Sequence, residues 1–213
     1  MISRASGIRV ILIIVTLWTP VRAIADNPSA CPRIQLILDP HLDEKKIQQA
    51  WGSGQDRKEG AAILALKDCS GSTIDRLVLP GPLARLDPKP LAGVTIPTYL
   101  VTVDVTAEAG SYNGPLTQVV EIRSDKLSFV SARDMNGKLS LIRLASTLKQ
   151  SWKRSPSGQR DDILSVRCEP LDDHFVTRYR RYQASPDGWR LFERITNGLW
   201  EADGAFPERS LFP

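Results

Sequence analysis

Arginine and aromatic residues concentrate in one stretch of the chain, from Phe175 to Ile195. Two runs rich in aromatic and β-branched residues flank a turn at 185–188. This arrangement predicts a β-hairpin, because Pro186 presets φ in the turn and Gly188 can adopt a positive φ. Arginine side chains on such a hairpin could bind carboxylate or phosphate groups, whose geometry the guanidinium fork matches.

The turn also determines which side chains share a face of the hairpin. If the residues 186–188 form a three-residue loop, Ser185 lies opposite Trp189 and side chains alternate outward from there. Arg181 then lies opposite Glu193, and the two can form an ion pair across the strands. The other face contains four arginines and two aromatic residues and lacks an acid. This predicted arginine face consists of Arg178, Arg180, Tyr182, Arg190, Phe192 and Arg194.

Two interpretations of the arginine face are open. It could bind an anion or a polyanion. It could instead be a solvated sheet face, on which arginine stems cover the aromatic rings. The second arrangement is the commoner one, because antiparallel sheets often have one face in water. A register change of one residue would mix the two faces and alter the predicted set.

Known catalytic motifs are absent from the sequence, including the serine-hydrolase elbow, the zinc-protease motif, the P-loop and the dinucleotide glycines. His41 lies in the first turn of a predicted helix. His174 follows Asp172 and Asp173 and could act as a hydrolase base that one of them orients, with a serine as nucleophile. Asp104 lies on a strand face that could be a polar groove, and glycosidase chemistry needs only two carboxylates. We therefore predict no catalytic residue, and a small secreted hydrolase is the alternative.

Three cysteines occur, at Cys31, Cys69 and Cys168. There is no C-x-x-C pair or Cys/His cluster, so we expect no metal site and no cofactor. In an oxidising compartment one pair should form a disulfide. Cys31 opens the first predicted strand and Cys69 closes the second, so their sulfurs can meet if these strands are antiparallel. We predict a Cys31–Cys69 disulfide, with Cys69–Cys168 as the rival pair.

The N-terminal residues predict a secretory signal peptide that ends at Ala25. Arg4 and Arg9 precede the apolar run Val10–Trp18, which is too short to span a bilayer, and small residues surround the cleavage site. We expect a periplasmic or secreted mature protein that starts at Asp26 and has no membrane anchor.

The net charge of the chain bears on which classes of partner it can bind. The full chain has a net charge of +4, which falls to +1 when Arg4, Arg9 and Arg22 leave with the signal peptide. This balance gives no case for nucleic-acid binding. We expect a non-catalytic binding, inhibitor or accessory protein whose partner is an envelope or extracellular protein or a polyanion.

The remaining chain predicts an α+β fold, in which an antiparallel sheet or meander accompanies two helices and the C-terminal hairpin. The first helix, at about 41–52, follows Asp39 as N-cap. The second, at about 141–153, has an apolar stripe at helical spacing, which consists of Leu141, Leu144, Ala145, Leu148 and Trp152. Strands are predicted at 33–38, 61–67, 74–79, 99–106, 116–123, 127–132 and 163–168.

Two further segments bear on the organisation of the predicted single domain, 26–213. Prolines fill the connector 80–97, which excludes a central strand and is the one plausible subdomain boundary. The aromatic tail, with Trp200, Phe206 and Phe212, should pack back on the sheet, since these side chains bury large apolar areas. A partner-binding tail is the alternative.

Overall fold

The structure is a computed structural model that describes residues 31–41, 60–104, 110–203 and 205–213. In chain order, the strands of these residues are β1 (Arg33–Ile37), β2 (Ile63–Lys67), β3 (Thr73–Val78), β4 (Ala84–Leu86), β5 (Thr98–Val103), β6 (Leu116–Arg123), β7 (Lys126–Phe129), β8 (Ser131–Arg133), β9 (Leu139–Leu141), β10 (Arg143–Ala145), β11 (Gln150–Ser157), β12 (Arg160–Leu171), β13 (His174–Ser185) and β14 (Gly188–Asn197). One 3₁₀ turn, Arg209–Leu211, follows them.

The strands form three sheets. The first has the order β1-β2-β3, and the second has the order β10-β6-β5-β4 with β7 also paired to β6. The third has the order β11-β12-β13-β14-β8-β9. All neighbours are antiparallel except β14 and β8, which are parallel. The predicted α+β class is therefore wrong, because the described part of the chain is nearly all β and contains no α-helix.

The second predicted helix, at about 141–153, is wrong for a clear physical reason. The segment also has a period of two, since Ile142 and Leu144 are 1% exposed while Arg143 between them is exposed. This alternation fits a strand, and β10 pairs with β6 while β11 pairs with β12 along its whole length. Two members of the predicted helical stripe, Leu141 and Leu148, are exposed. Long-range pairing has overridden the local helical spacing.

The first predicted helix, at about 41–52, lies outside the described residues apart from His41. The Asp39 carboxylate accepts a hydrogen bond from the His41 backbone N–H at 2.9 Å. Asp39 thus orders the first turn after β1.

Most of the predicted strands are confirmed. The predicted strand 116–123 coincides with β6, and the predicted run 127–132 is divided at Val130 between β7 and β8. Val130 donates its N–H to Val119 and accepts from Ile142, so the chain passes from the second sheet to the third at this residue. The proline-rich connector contains β4, which lies at an edge of the second sheet, where proline neighbours are tolerated.

The second sheet lies between the other two and buries both of its faces. Val101, Val103 and Val120 pack with Leu64 and Leu66 of the first sheet. On the opposite face, Leu100 and Val119 pack with side chains of the third sheet that include Ile163, Tyr182 and Trp189. Consecutive apolar residues in β5 and β6 make this possible, because neighbouring residues of a strand point to opposite faces.

The C-terminal tail covers the other face of the third sheet, as the sequence predicts. Phe212 is 5% exposed and packs with Leu164, Val166 and Tyr179. Its ring meets Tyr179 edge-on at 5.5 Å and stacks on Phe206 at 5.6 Å. The third sheet therefore also has both faces covered along part of its length.

Candidate anion-binding site

The C-terminal hairpin is confirmed, but its loop is one residue shorter than predicted. β13 pairs with β14 up to Ser185 and Gly188, so Pro186 and Asp187 alone form the loop. The Ser185 hydroxyl donates to the Gly188 carbonyl at 2.8 Å, and Gly188 has a φ of +114°. Ala184, and not Ser185, lies opposite Trp189, so the predicted register is wrong by one residue.

This shift divides the predicted arginine face. One face of the hairpin carries Arg178, Arg180 and Tyr182, and the other carries Arg190, Phe192 and Arg194. Tyr182 is 3% exposed because it belongs to the core between the second and third sheets. Burial raises its pKa, and hydrogen bonds with Ser165 and Arg180 only partly offset that effect. Tyr182 therefore lies in the core next to Arg180 as a neutral phenol.

The predicted Arg181–Glu193 pair is also wrong, because Glu193 lies opposite Arg180. Arg178 Nη1 donates to Glu193 Oε1 at 2.9 Å, and Arg180 Nε donates to Glu193 Oε2. Arg178 also donates to Glu169 on β12. Burial raises the pKa of Glu169, but the hydrogen bond from Arg178 and the charges of Arg178, Arg167 and Arg180 together outweigh burial, so the pKa is lowered. These charges form a network that holds β12, β13 and β14 together.

Four strands, β10 to β13, surround a shallow, open pocket of about 20 Å³ beside this network. Three of its lining residues are arginines from three different strands: Arg143, Arg167 and Arg180. Its volume is only slightly above the roughly 10–15 Å³ that one water molecule needs, and far below the roughly 300 Å³ of pockets that enclose whole small molecules. The pocket therefore suits one charged group better than a whole ligand.

Positive charge is in excess at the pocket. Arg143 is exposed and forms no ion pair with any described residue. Arg167 Nε lies 3.2 Å from Glu169 Oε2, yet this buried nitrogen lacks a hydrogen bond of acceptable geometry within the described structure. Arg178 pairs with both Glu169 and Glu193, and Arg180 pairs with Glu193. With Arg143 and Arg167, four arginines therefore lie around two glutamates. The arrangement is suited to binding an anion by charge-assisted hydrogen bonds.

The other half of the predicted arginine face lies on the opposite side of the hairpin. Arg190 Nη2 is 3.7 Å from Asp187 in the exposed loop. The Arg181 guanidinium lies over the Phe192 ring at 4.8 Å. Arg194 is exposed at the surface. The structure does not bring these residues to the pocket.

The residues of the alternative hydrolase site are not assembled into a catalytic group. His174 Nδ1 lies 3.2 Å from Asp173 Oδ1, but this pair occupies an exposed turn, and the Asp173 side chain is 97% exposed. Within the described residues no hydroxyl group contacts His174. Asp104 follows β5 in the second sheet, where its N–H donates to Leu83. It thus belongs to a different sheet from His174.

The structure brings the two predicted disulfide partners together. β1 and β2 are antiparallel and pair Arg33 with Lys67, so the end of the sheet where β1 begins and β2 ends lies next to both Cys31 and Cys69. A hydrogen bond between the two thiols raises the pKa of Cys69. Cys168 is buried in β12. The thiols are free here, and the bond itself stays a prediction.

Other kinds of site have little support. In the described ranges no three His, Cys, Asp or Glu side chains lie close enough together to hold a metal ion. None of the helical structure in those ranges is long and apolar enough to cross a membrane.

No protein-family model, curated protein or solved structure matches the chain. The site is therefore interpreted from its own geometry. Two of its arginines are not predicted from the sequence, because Arg143 lies in the segment predicted to be helical and no local pattern marks Arg167 as a site residue. Only the pairing of β10 with β6 and of β11 with β12 brings them beside Arg180.

Proposed function

We propose that the protein is an exported, non-catalytic binding protein whose pocket at Arg143, Arg167 and Arg180 receives an anionic group of its ligand. One observation carries the proposal: three arginines from separate strands line one pocket, and Arg143 has no acidic partner among the described residues. A cation at such a site gains most from a ligand that supplies the missing negative charge.

The size of the pocket suggests the class of ligand. It is too small to enclose a ligand, so a carboxylate, phosphate or sulfate group would contact the arginines from the open side while the rest of the ligand extends into solvent. An acidic polymer of the cell envelope, which offers many such groups, fits this description. Binding should weaken as salt rises, because exposed charges are screened.

The structure offers a matched pair of variants to test the proposal. Arg143→Gln with Arg167→Gln removes two positive charges at the pocket, and Arg190→Gln with Arg194→Gln removes two from the opposite face. We expect the first variant to elute from a heparin column at clearly lower salt than the wild type, and the second to elute near it. An equal loss of retention in both variants would show that retention follows net charge, and would contradict anion binding at the pocket.

A small secreted hydrolase is the second candidate, and the contact between His174 and Asp173 is the observation that favours it. The wild type and His174→Ala can be compared on peptide, ester and cell-wall substrates. Hydrolysis that disappears in His174→Ala would contradict a non-catalytic function.

Export is part of the proposal and has its own test. Mass spectrometry of the protein recovered from the envelope or the medium should find Asp26 at the N-terminus, because small residues precede it at the cleavage site. An intact Met1 on a membrane-bound product would contradict export.

A further inference from the structure

The third sheet has a long open edge on β14. β8 pairs with β14 only at Trp189 and Arg190, whereas β13 pairs with it as far as Asn197. Among the described residues, nothing pairs with the outer side of β14 from Leu191 to Asn197. Proteins usually protect such edges with proline, charged side chains or a bulge. This stretch contains no proline and no lysine, and the carboxylate of Glu193 is held by Arg178 and Arg180, so Arg194 is its one charge without an ion pair among the described residues.

The hydrogen-bond pattern determines which backbone groups face outward. Gly198 donates its N–H to Phe175, and Ser185 pairs with Gly188 at the loop. In an antiparallel pair the hydrogen-bonded positions alternate, so the even-numbered residues of β14 bond to β13. The N–H and C=O groups that point to the open edge therefore belong to Leu191, Glu193, Ile195 and Asn197.

We propose that a second copy of this chain pairs with the open edge, β14 against β14 in antiparallel orientation about a two-fold axis at Ile195. Such an isologous contact joins the third sheets of the two copies into one continuous sheet. It supplies partners for the outward backbone groups and covers the Ile195 side chain, which is 50% exposed.

Charge selects this register. With the axis at Glu193 or at Arg194, two like charges lie directly opposite each other, which destabilises a sheet. With the axis at Ile195, the two isoleucines meet, Glu193 lies opposite Asn197 and Arg194 lies opposite Thr196. An axis nearer the strand end would pair fewer residues.

Sedimentation velocity over a range of concentrations tests the contact. We expect a monomer–dimer equilibrium that Ile195→Lys weakens by about tenfold or more, since two lysines would then face each other. Val78→Lys is the matched control, because Val78 is a β-branched strand residue that is 62% exposed on the first sheet. It should leave the equilibrium unchanged.

Hydrogen exchange of the wild type provides a test that does not depend on how a variant folds. The amides of Glu193 and Ile195 should become more protected as the concentration rises, while that of Arg194, already bonded to β13, should not change. A monomer at all concentrations would overturn the proposal. So would a dimer that Ile195→Lys leaves intact, or edge protection that appears only when an envelope extract is added.

Discussion

At the scale of single residues, one carboxylate organises the candidate site. Glu193 accepts hydrogen bonds from both Arg178 and Arg180, and its side chain is only 25% exposed. Without it, two partly buried guanidinium groups would lie side by side with less compensation. Glu193 therefore stabilises the sheet and also limits how much positive charge the pocket presents.

Replacement of this residue separates the two effects. Glu193→Gln should lower the free energy of unfolding by roughly 1–2 kcal/mol, because charged hydrogen bonds of partly buried groups are lost. It should also strengthen anion binding at the pocket. Glu121→Gln is the control, since Glu121 pairs with the exposed Arg123 and such surface pairs contribute little. Urea denaturation at low protein concentration measures the difference.

The cysteines make a second prediction at this scale. In the oxidised mature protein, Cys31 and Cys69 should form a disulfide that contributes roughly 3–4 kcal/mol by restricting the unfolded chain. Peptide mapping without reduction should recover the two peptides linked. A peptide that links Cys168 to either of the others would contradict the pairing of β1 with β2.

At the scale of elements, Asp75 links two sheets. This residue of β3 accepts a hydrogen bond from the Leu127 N–H of β7 at 2.7 Å, and Lys126 Nζ lies 3.6 Å from it. The pKa of Asp75 is lowered from its ordinary value of 3.8, and the hydrogen bond from the Leu127 N–H contributes most to this shift. A group whose pKa is lowered by folding stabilises the protein above its unfolded pKa, and this contribution disappears as the pH falls through the folded pKa.

Asp75→Asn should consequently destabilise the protein by about 1–2 kcal/mol at neutral pH, and the difference from the wild type should shrink below about pH 4. Lys126→Gln removes only the exposed partner and should change stability by less than about 0.5 kcal/mol. Denaturation curves at several pH values check both expectations. A difference that persists unchanged at pH 2 would show that the charge of Asp75 is not the cause.

The elements also show what the sequence can and cannot predict. Residues that favour strands, together with the turn residues that flank them, identify β6 and the C-terminal hairpin, because those signals are local. The segment 141–153 satisfies a helical and a strand period at once, and only its distant partners β6 and β12 decide between them. The arginine site is missed for the same kind of reason: a loop shortened by one residue exchanges the faces of β14 relative to β13, and Arg143 reaches the pocket through long-range pairing.

At the scale of the whole molecule, the aromatic tail covers the face of the third sheet that points away from the second sheet. Phe212→Ala should destabilise the protein by about 3–5 kcal/mol, as is usual for a buried phenylalanine. Leu199→Ala, at a side chain that is 56% exposed, should cost far less. Thermal denaturation compares the two, and equal effects would contradict the packing of the tail on β12 and β13.

The binding of an anion at the pocket is the central claim, and one measurement addresses it most directly. The side-chain Nε–Hε signals of the arginines can be followed by NMR while inorganic phosphate is added at constant ionic strength. We predict saturable shifts for Arg143 and Arg167 and none for Arg190 and Arg194, which lie on the other face of the hairpin. Equal, non-saturating shifts in all four arginines would contradict a built anion site.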